Sequence, residues 1–137
     1  MKPFYSCFLA ISAPEPPVKG TILVVEDDDD TRDLLVEYIT EEHYRVVATA
    51  NCQKALEAVQ SITPHLLLLD YNLPLMTGLQ LAECLHKIPG MEHVPTLMMS
   101  ATRAFREKMA QYGMIGLQKP FDLSDLLEEI NNMVGAA

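Results

Sequence analysis

Short apolar runs, each ended by polar residues, recur along this chain and alternate with stretches whose apolar positions return every third or fourth residue. The runs are Thr21–Val25 (TILVV), Arg45–Thr49 (RVVAT), Leu66–Leu69, Thr96–Met99 and Ile115–Gln118, the last weakened by Gly116. They have strand length, and a run such as four consecutive leucines suits a strand buried on both faces. Between them, Leu34, Leu35, Tyr38 and Ile39 predict the inner face of a first helix, with Asp29 or Asp30 as its N-cap. Ala55, Leu56, Val59 and Ile62 predict a second, capped by Asn51. Leu81, Ala82, Leu85 and Ile88 predict a third, entered by a tight turn at Gly78 and ended by Pro89-Gly90. A polar helix from about Thr102 to Tyr112 comes next, stopped by Gly113. The last carries Leu126, Leu127, Ile130 and Val134, and the Asp122/Asp125 spacing resembles a capping box. Strand then helix, five times over, predicts an α/β fold: right-handed crossovers make it a doubly wound, five-stranded parallel sheet.

Residues 1–19 (MKPFYSCFLAISAPEPPVK) do not share this rhythm. Pro14, Pro16 and Pro17 favour an extended linker, so this stretch reads as a flexible leader outside a single domain spanning 20–137. No run reaches the roughly 20 residues of a membrane span, so no membrane insertion is expected. A formal charge of −9 disfavours nucleic acid or an anionic membrane as the main partner. Cys7, Cys52 and Cys84 have no zinc-like spacing and read as reduced thiols of a cytoplasmic protein. His43, His65, His86 and His93 are scattered and read as surface or boundary residues.

The candidate chemistry lies where the apolar runs stop. In open α/β sheets, sites form beyond the carboxyl ends of the strands. Strand one ends in Glu26 and Asp27, strand three in Asp70, strand four in Ser100 and strand five in Lys119. Taken singly, each has a simpler role: Asp70 as a loop cap, the aspartates as a solvated helix start, Ser100 as a turn. Together at one sheet edge they suggest a site. Three carboxylates crowded together need a cation, and oxygen-only ligands select a hard ion, Mg²⁺ being the cellular default. A carboxylate beside such an ion stays ionised and can attack phosphorus. Lys119 can neutralise phosphoryl oxygens, and Ser100 can donate to one. The expected product is a phospho-aspartate at Asp70.

The motifs ILVVEDD (22–28), DYNLPLMTG (70–78), MMSA (98–101) and QKPF (118–121) resemble the receiver domain of bacterial response regulators, over about residues 20 to 135. The resemblance implies a flavodoxin-like (βα)5 fold and phosphoryl transfer to Asp70 from the phosphohistidine of a histidine kinase or histidine phosphotransfer protein. It implies a partner-binding face, switched by that transfer, for a downstream target protein. It makes Asp27 a direct Mg²⁺ ligand, Glu26 a ligand through water and Asn72 a backbone-carbonyl ligand. Ser100 and Ala101 become the switch hydroxyl and its small neighbour, and Lys119 the phosphoryl-neutralising lysine. Lys119-Pro120 becomes a cis bond. Two features depart from the family pattern. The segment from Ser100 to Lys119 is short, so the fourth helix or its flanking loops must be trimmed. Gly116 stands where many members carry a swinging aromatic.

Other readings fit less well. A haloacid-dehalogenase-type phosphohydrolase needs a second acid two residues after its nucleophile, where Asn72 stands here. A calcium loop built on DDDDTRD lacks the required Gly and Glu. A non-phosphorylated adaptor of the same fold would not need Glu26, Asp27, Asp70, Ser100 and Lys119 together. The expected form is a stand-alone receiver, with the receiver of a larger hybrid kinase as the alternative.

Overall fold

A computed structural model describes residues 17–102 and 104–135; apart from its last three residues, the expected leader lies outside them. The elements follow the predicted order: β1 (Thr21–Val25), α1 (Asp29–Glu41), β2 (Arg45–Thr49), α2 (Cys52–Ala58), β3 (Leu66–Asp70), α3 (Gly78–His86), β4 (Thr96–Ser100), α4 (Phe105–Gln111), β5 (Ile115–Gln118) and α5 (Leu123–Gly135). All strand pairs are parallel, in the order β2-β1-β3-β4-β5. This is the predicted flavodoxin-like (βα)5 sandwich.

Alternation along the strands builds two cores from single apolar runs. Leu66 and Leu68 join Ile22, Val24, Leu97 and Met99 beneath Leu35 and Ile39 of α1 and Leu126 and Ile130 of α5. Leu67 and Leu69 join Leu23, Val25 and Met98 beneath α2, α3 and α4. Each leucine of the run is completely buried, because helices cover both faces.

Several local expectations change. The cap of α1 is Asp28, not Asp29 or Asp30: its carboxylate accepts from the Thr31 amide at 2.9 Å and the Thr31 hydroxyl at 2.7 Å. These bonds hold the Asp28 carboxyl below its ordinary range. Leu34 is 53% exposed instead of packed inward, since Leu35 and Ile39 suffice to cover the sheet. Asn51 caps α2 as expected, accepting from the Lys54 amide.

The capping box sits at Thr77 and Gln80, at the start of α3. At Asp122 it is the backbone carbonyl that accepts from the Asp125 and Leu126 amides. Gly78 is required for room and not for a turn conformation. A Cβ there would lie 2.4 Å from the Asp70 carbonyl oxygen and 2.7 Å from the Met98 sulfur. Helix α4 starts at Phe105 and not near Thr102, because Ala104 takes a left-handed φ of 58° that ends helical geometry on its N-terminal side. The short segment is thus accommodated by a helix of seven residues.

Candidate functional site

Strand register places the candidate residues at one edge. Asp70 stands beside Met99, and Ser100 beside Gln118, the residue before Lys119. The Lys119 amide donates to the Ser100 carbonyl at 2.8 Å, and the Glu26 amide to Thr49 at 3.1 Å. The strand ends are therefore tied together by backbone.

The side chains converge. Glu26 is 1% exposed and Asp70 5%, whereas Asp27 lies open. Each of the three offers a carboxylate oxygen, and these oxygens lie within 4.8 Å of one another. The Lys119 ammonium is 3.4 Å from Glu26 Oε1 and 3.5 Å from Asp70 Oδ2. The remaining oxygens meet backbone amides: Asp28 donates to Glu26 Oε2 and Asn72 to Asp70 Oδ1, both at 3.2 Å. One ammonium facing two buried carboxylates leaves negative charge in excess. Burial first, and then the Asp70 charge, push the Glu26 carboxyl up to about 7, against the opposing pull of the Asp28 amide and Lys119. A divalent cation among these oxygens would remove that penalty, so an all-oxygen, anionic donor set fits Mg²⁺ on chemical grounds.

Ser100 is fully buried at the end of β4. Its hydroxyl donates to Thr102 Oγ1 at 3.0 Å and accepts from the Thr102 amide at 3.1 Å. Ala101 beside it is exposed and lines an open groove with Lys119, Pro120 and Leu34. The Lys119-Pro120 bond is cis. Asn72 is exposed in the loop after Asp70. His43, His65 and His93 are exposed and His86 is half-buried, its Nε2 bonded to the Val94 carbonyl and Thr96 hydroxyl. These histidines take no part in the cluster. Cys52 is buried and Cys84 exposed, while Cys7 lies outside the described residues.

Three contributors escaped the sequence reading. Thr102 holds Ser100, a contact its two-residue spacing from a serine could have suggested. Arg32 donates from Nη1 to the Glu26 carbonyl at 2.9 Å and pairs with Asp29, bracing the acidic turn from α1. No local pattern signals that reach. Tyr71, directly after Asp70, packs edge-on against Phe105 with ring centroids 5.6 Å apart.

Residues 22–131 match the response regulator receiver domain family. The polar-differentiation response regulator DivK of Brucella anthropi is 26% identical over 120 residues, covering 85% of this chain and 98% of DivK. The hybrid signal transduction histidine kinase D of Dictyostelium discoideum is 28% identical over 119 residues, covering 85% of this chain but only 8% of the kinase. A response regulator structure from Chloroflexus aurantiacus superposes with a TM-score of 0.77 at 28% identity, covering 88% of this chain and 99% of that one. The chemotaxis regulator CheY4 of Vibrio cholerae, at 22% identity over 86% of this chain and 99% of CheY4, shares the fold with a TM-score of 0.76. By the family match over most of its length, together with a parallel sheet whose strand ends gather Glu26, Asp27, Asp70, Ser100 and Lys119, this chain belongs to the response regulator receiver domain family.

Proposed function

We propose that this receiver is a phospho-acceptor, taking a phosphoryl group onto Asp70 from the phosphohistidine of a histidine kinase or histidine phosphotransfer protein. The observation that carries the reading is the convergence of Lys119 on Asp70 and Glu26, beside the exposed Asp27. An Asp70 oxygen attacks phosphorus, the O–P bond forms as the N–P bond breaks, and the imidazole leaves with its electron pair. Lys119 neutralises a phosphoryl oxygen. Ser100 turns from Thr102 to donate to another, exchanging a neutral hydrogen bond for a charge-assisted one. Glu26, Asp27, Asp70 and the Asn72 carbonyl would hold Mg²⁺, which when bound supplies positive charge for the phosphoryl oxygens.

The donor's approach is open. Leu34, Thr31, Ala101, Pro120 and Phe121 line a groove of about 400 Å³ that reaches Lys119. An apolar helix face presenting the phosphohistidine suits it, with the exposed Leu34 as a contact. A downstream target protein then reads the phosphorylated face, and the domain promotes its own phosphorylation and dephosphorylation without being a conventional enzyme. The setting proposed is cytoplasmic; separately, no helix among the described residues is long and apolar enough to cross a membrane. Such a receiver works alone, a reading supported by the likeness along nearly all of DivK, with the receiver of a hybrid kinase, supported by the likeness to part of kinase D, as the alternative.

Incubation with acetyl phosphate and Mg²⁺ should add one phosphoryl mass to the intact chain. The gain should vanish in Asp70→Asn and with EDTA. An unmodified wild-type mass, under conditions that label another receiver, would overturn the proposal.

A further inference from the structure

Tyr71 and Asp70 are adjacent in sequence but belong to opposite faces of the sheet. By strand alternation Asp70 continues the row of Leu66 and Leu68, toward α1 and α5. Tyr71 continues Leu67 and Leu69, toward α3 and α4. Its backbone is fixed on both sides: its amide donates to the Met99 carbonyl and its carbonyl accepts from the Gly78 amide, both at 2.8 Å. Its side chain is then committed to α4. The ring meets Phe105 edge-on at an interplanar angle of 73°. The Lys108 ammonium donates to its hydroxyl at 3.1 Å and lies 5.2 Å from the ring centroid.

Phe105 in turn fills the space above Gly116. It is 2% exposed, and a Cβ at Gly116 would stand 3.1 Å from two of its ring carbons. The volume that a side chain on β5 would occupy is thus taken by an aromatic from α4. At the start of that helix Ala104 holds a left-handed φ and offers no side-chain cap. The Ser100–Thr102 hydrogen bonds pin the loop leading to it.

We infer that Tyr71, Phe105 and Lys108 form a clamp, seated on Gly116, that fixes the resting position of α4 and joins it to the loop directly after Asp70. The inference rests on the proposed phosphorylation of Asp70 only for its trigger. When Ser100 leaves Thr102, the loop before Ala104 loses its anchor and Phe105 shifts on its glycine seat, so α4 carries the signal that a β5 aromatic would otherwise carry. Gly116 is then a working part of the switch, because it leaves the seat free.

Hydrogen exchange on the full chain tests this, read at the Lys108, Tyr112 and Gly113 amides. In the unmodified protein Tyr71→Leu should speed exchange there by roughly tenfold or more, with Tyr71→Phe and Lys108→Met giving smaller increases. Acetyl phosphate with Mg²⁺ should speed the same amides in wild type and add little in Tyr71→Leu, at equal phosphoryl mass in both. Rates in Tyr71→Leu within twofold of wild type before modification would overturn the clamp. So would unchanged α4 exchange in wild type that mass shows to be phosphorylated. Should Tyr71→Leu fail to fold, Tyr71→Phe decides the first comparison, since it removes only the bond to Lys108. A missing phosphoryl mass would defeat the proposed function instead, while the unmodified comparison would still judge the clamp.

Discussion

Glu26 is the residue whose environment is least satisfied by the protein alone. Its raised pKa, about 7 against 4.5 for an unperturbed carboxyl, means that the folded state holds its proton more tightly than the unfolded chain. The resulting stabilisation is fully present below pH 4.5 and is lost as pH rises through about 7. In EDTA, wild type should therefore weaken across that window relative to Glu26→Gln, which has no proton to lose. The two proteins should match near pH 4.5, and the Gln variant should be more stable at pH 8 by on the order of 1–3 kcal/mol, as read by urea titration. Parallel pH profiles for the two would show that Glu26 is not strained in this way.

Arg32, Thr102 and Tyr71 mark where reading residues one at a time failed. Each acts through a partner, at 2.9 Å from the Glu26 carbonyl, 3.0 Å from the Ser100 hydroxyl two residues away and 5.6 Å between the rings of Tyr71 and Phe105. Glu26, Asp27, Asp70, Ser100 and Lys119 were legible because each sits at the end of an apolar run. The run's length and burial fix where that end lies.

At the scale of elements, entry into α3 and α4 shows opposite solutions. Helix α3 has the full Thr77/Gln80 capping box and a glycine pressed against the end of β3. Gly78→Ala should destabilise by about 3 kcal/mol, because the rigid Asp70 carbonyl, 2.4 Å from the new Cβ, cannot give way. A loss below about 1 kcal/mol in chemical denaturation would mean that the helix start can shift, against the general stiffness of packed interiors.

Helix α4 is entered instead from the left-handed Ala104, which offers no side-chain cap. Ala104→Gly should remove a left-handed penalty of roughly 1–2 kcal/mol while adding about 0.5–1 kcal/mol of unfolded-state entropy, a small net gain in stability. The check is a denaturation midpoint at or above the wild-type value; a clear fall would mean that the alanine methyl makes a contact that matters. Periodicity could place both helices but not their first residues. Caps depend on single φ values and side-chain reach, which leave little trace in an apolar pattern.

For the molecule as a whole, the cluster joins β1, β3 and β5 at one edge of the sheet, so a cation bound there favours the folded state over the unfolded chain. Mg²⁺ at a hundred times its dissociation constant should add about 2.7 kcal/mol of stability. Thermal unfolding should move upward with MgCl₂, and not with NaCl at matched ionic strength. Asp27→Asn should remove most of the rise. An equal shift in Asp27→Asn would instead assign the effect to general screening of the −9 charge.

By itself the sequence determined the ten elements, their order, the parallel sheet and the sheet edge that carries the polar residues. These follow from local periodicity and from the handedness of strand–helix–strand units, both written into neighbouring residues. Tertiary structure decided what depends on residues far apart in the chain: that Lys119 faces Glu26 and Asp70, that Tyr71 and Lys108 meet, and that Leu34 stays outside. It also decided that the absence of a side chain at Gly116 is filled by Phe105. A glycine in a strand reads as weakness until the ring seated on it is seen, because the space beside a residue is set by what packs there and not by the residue itself.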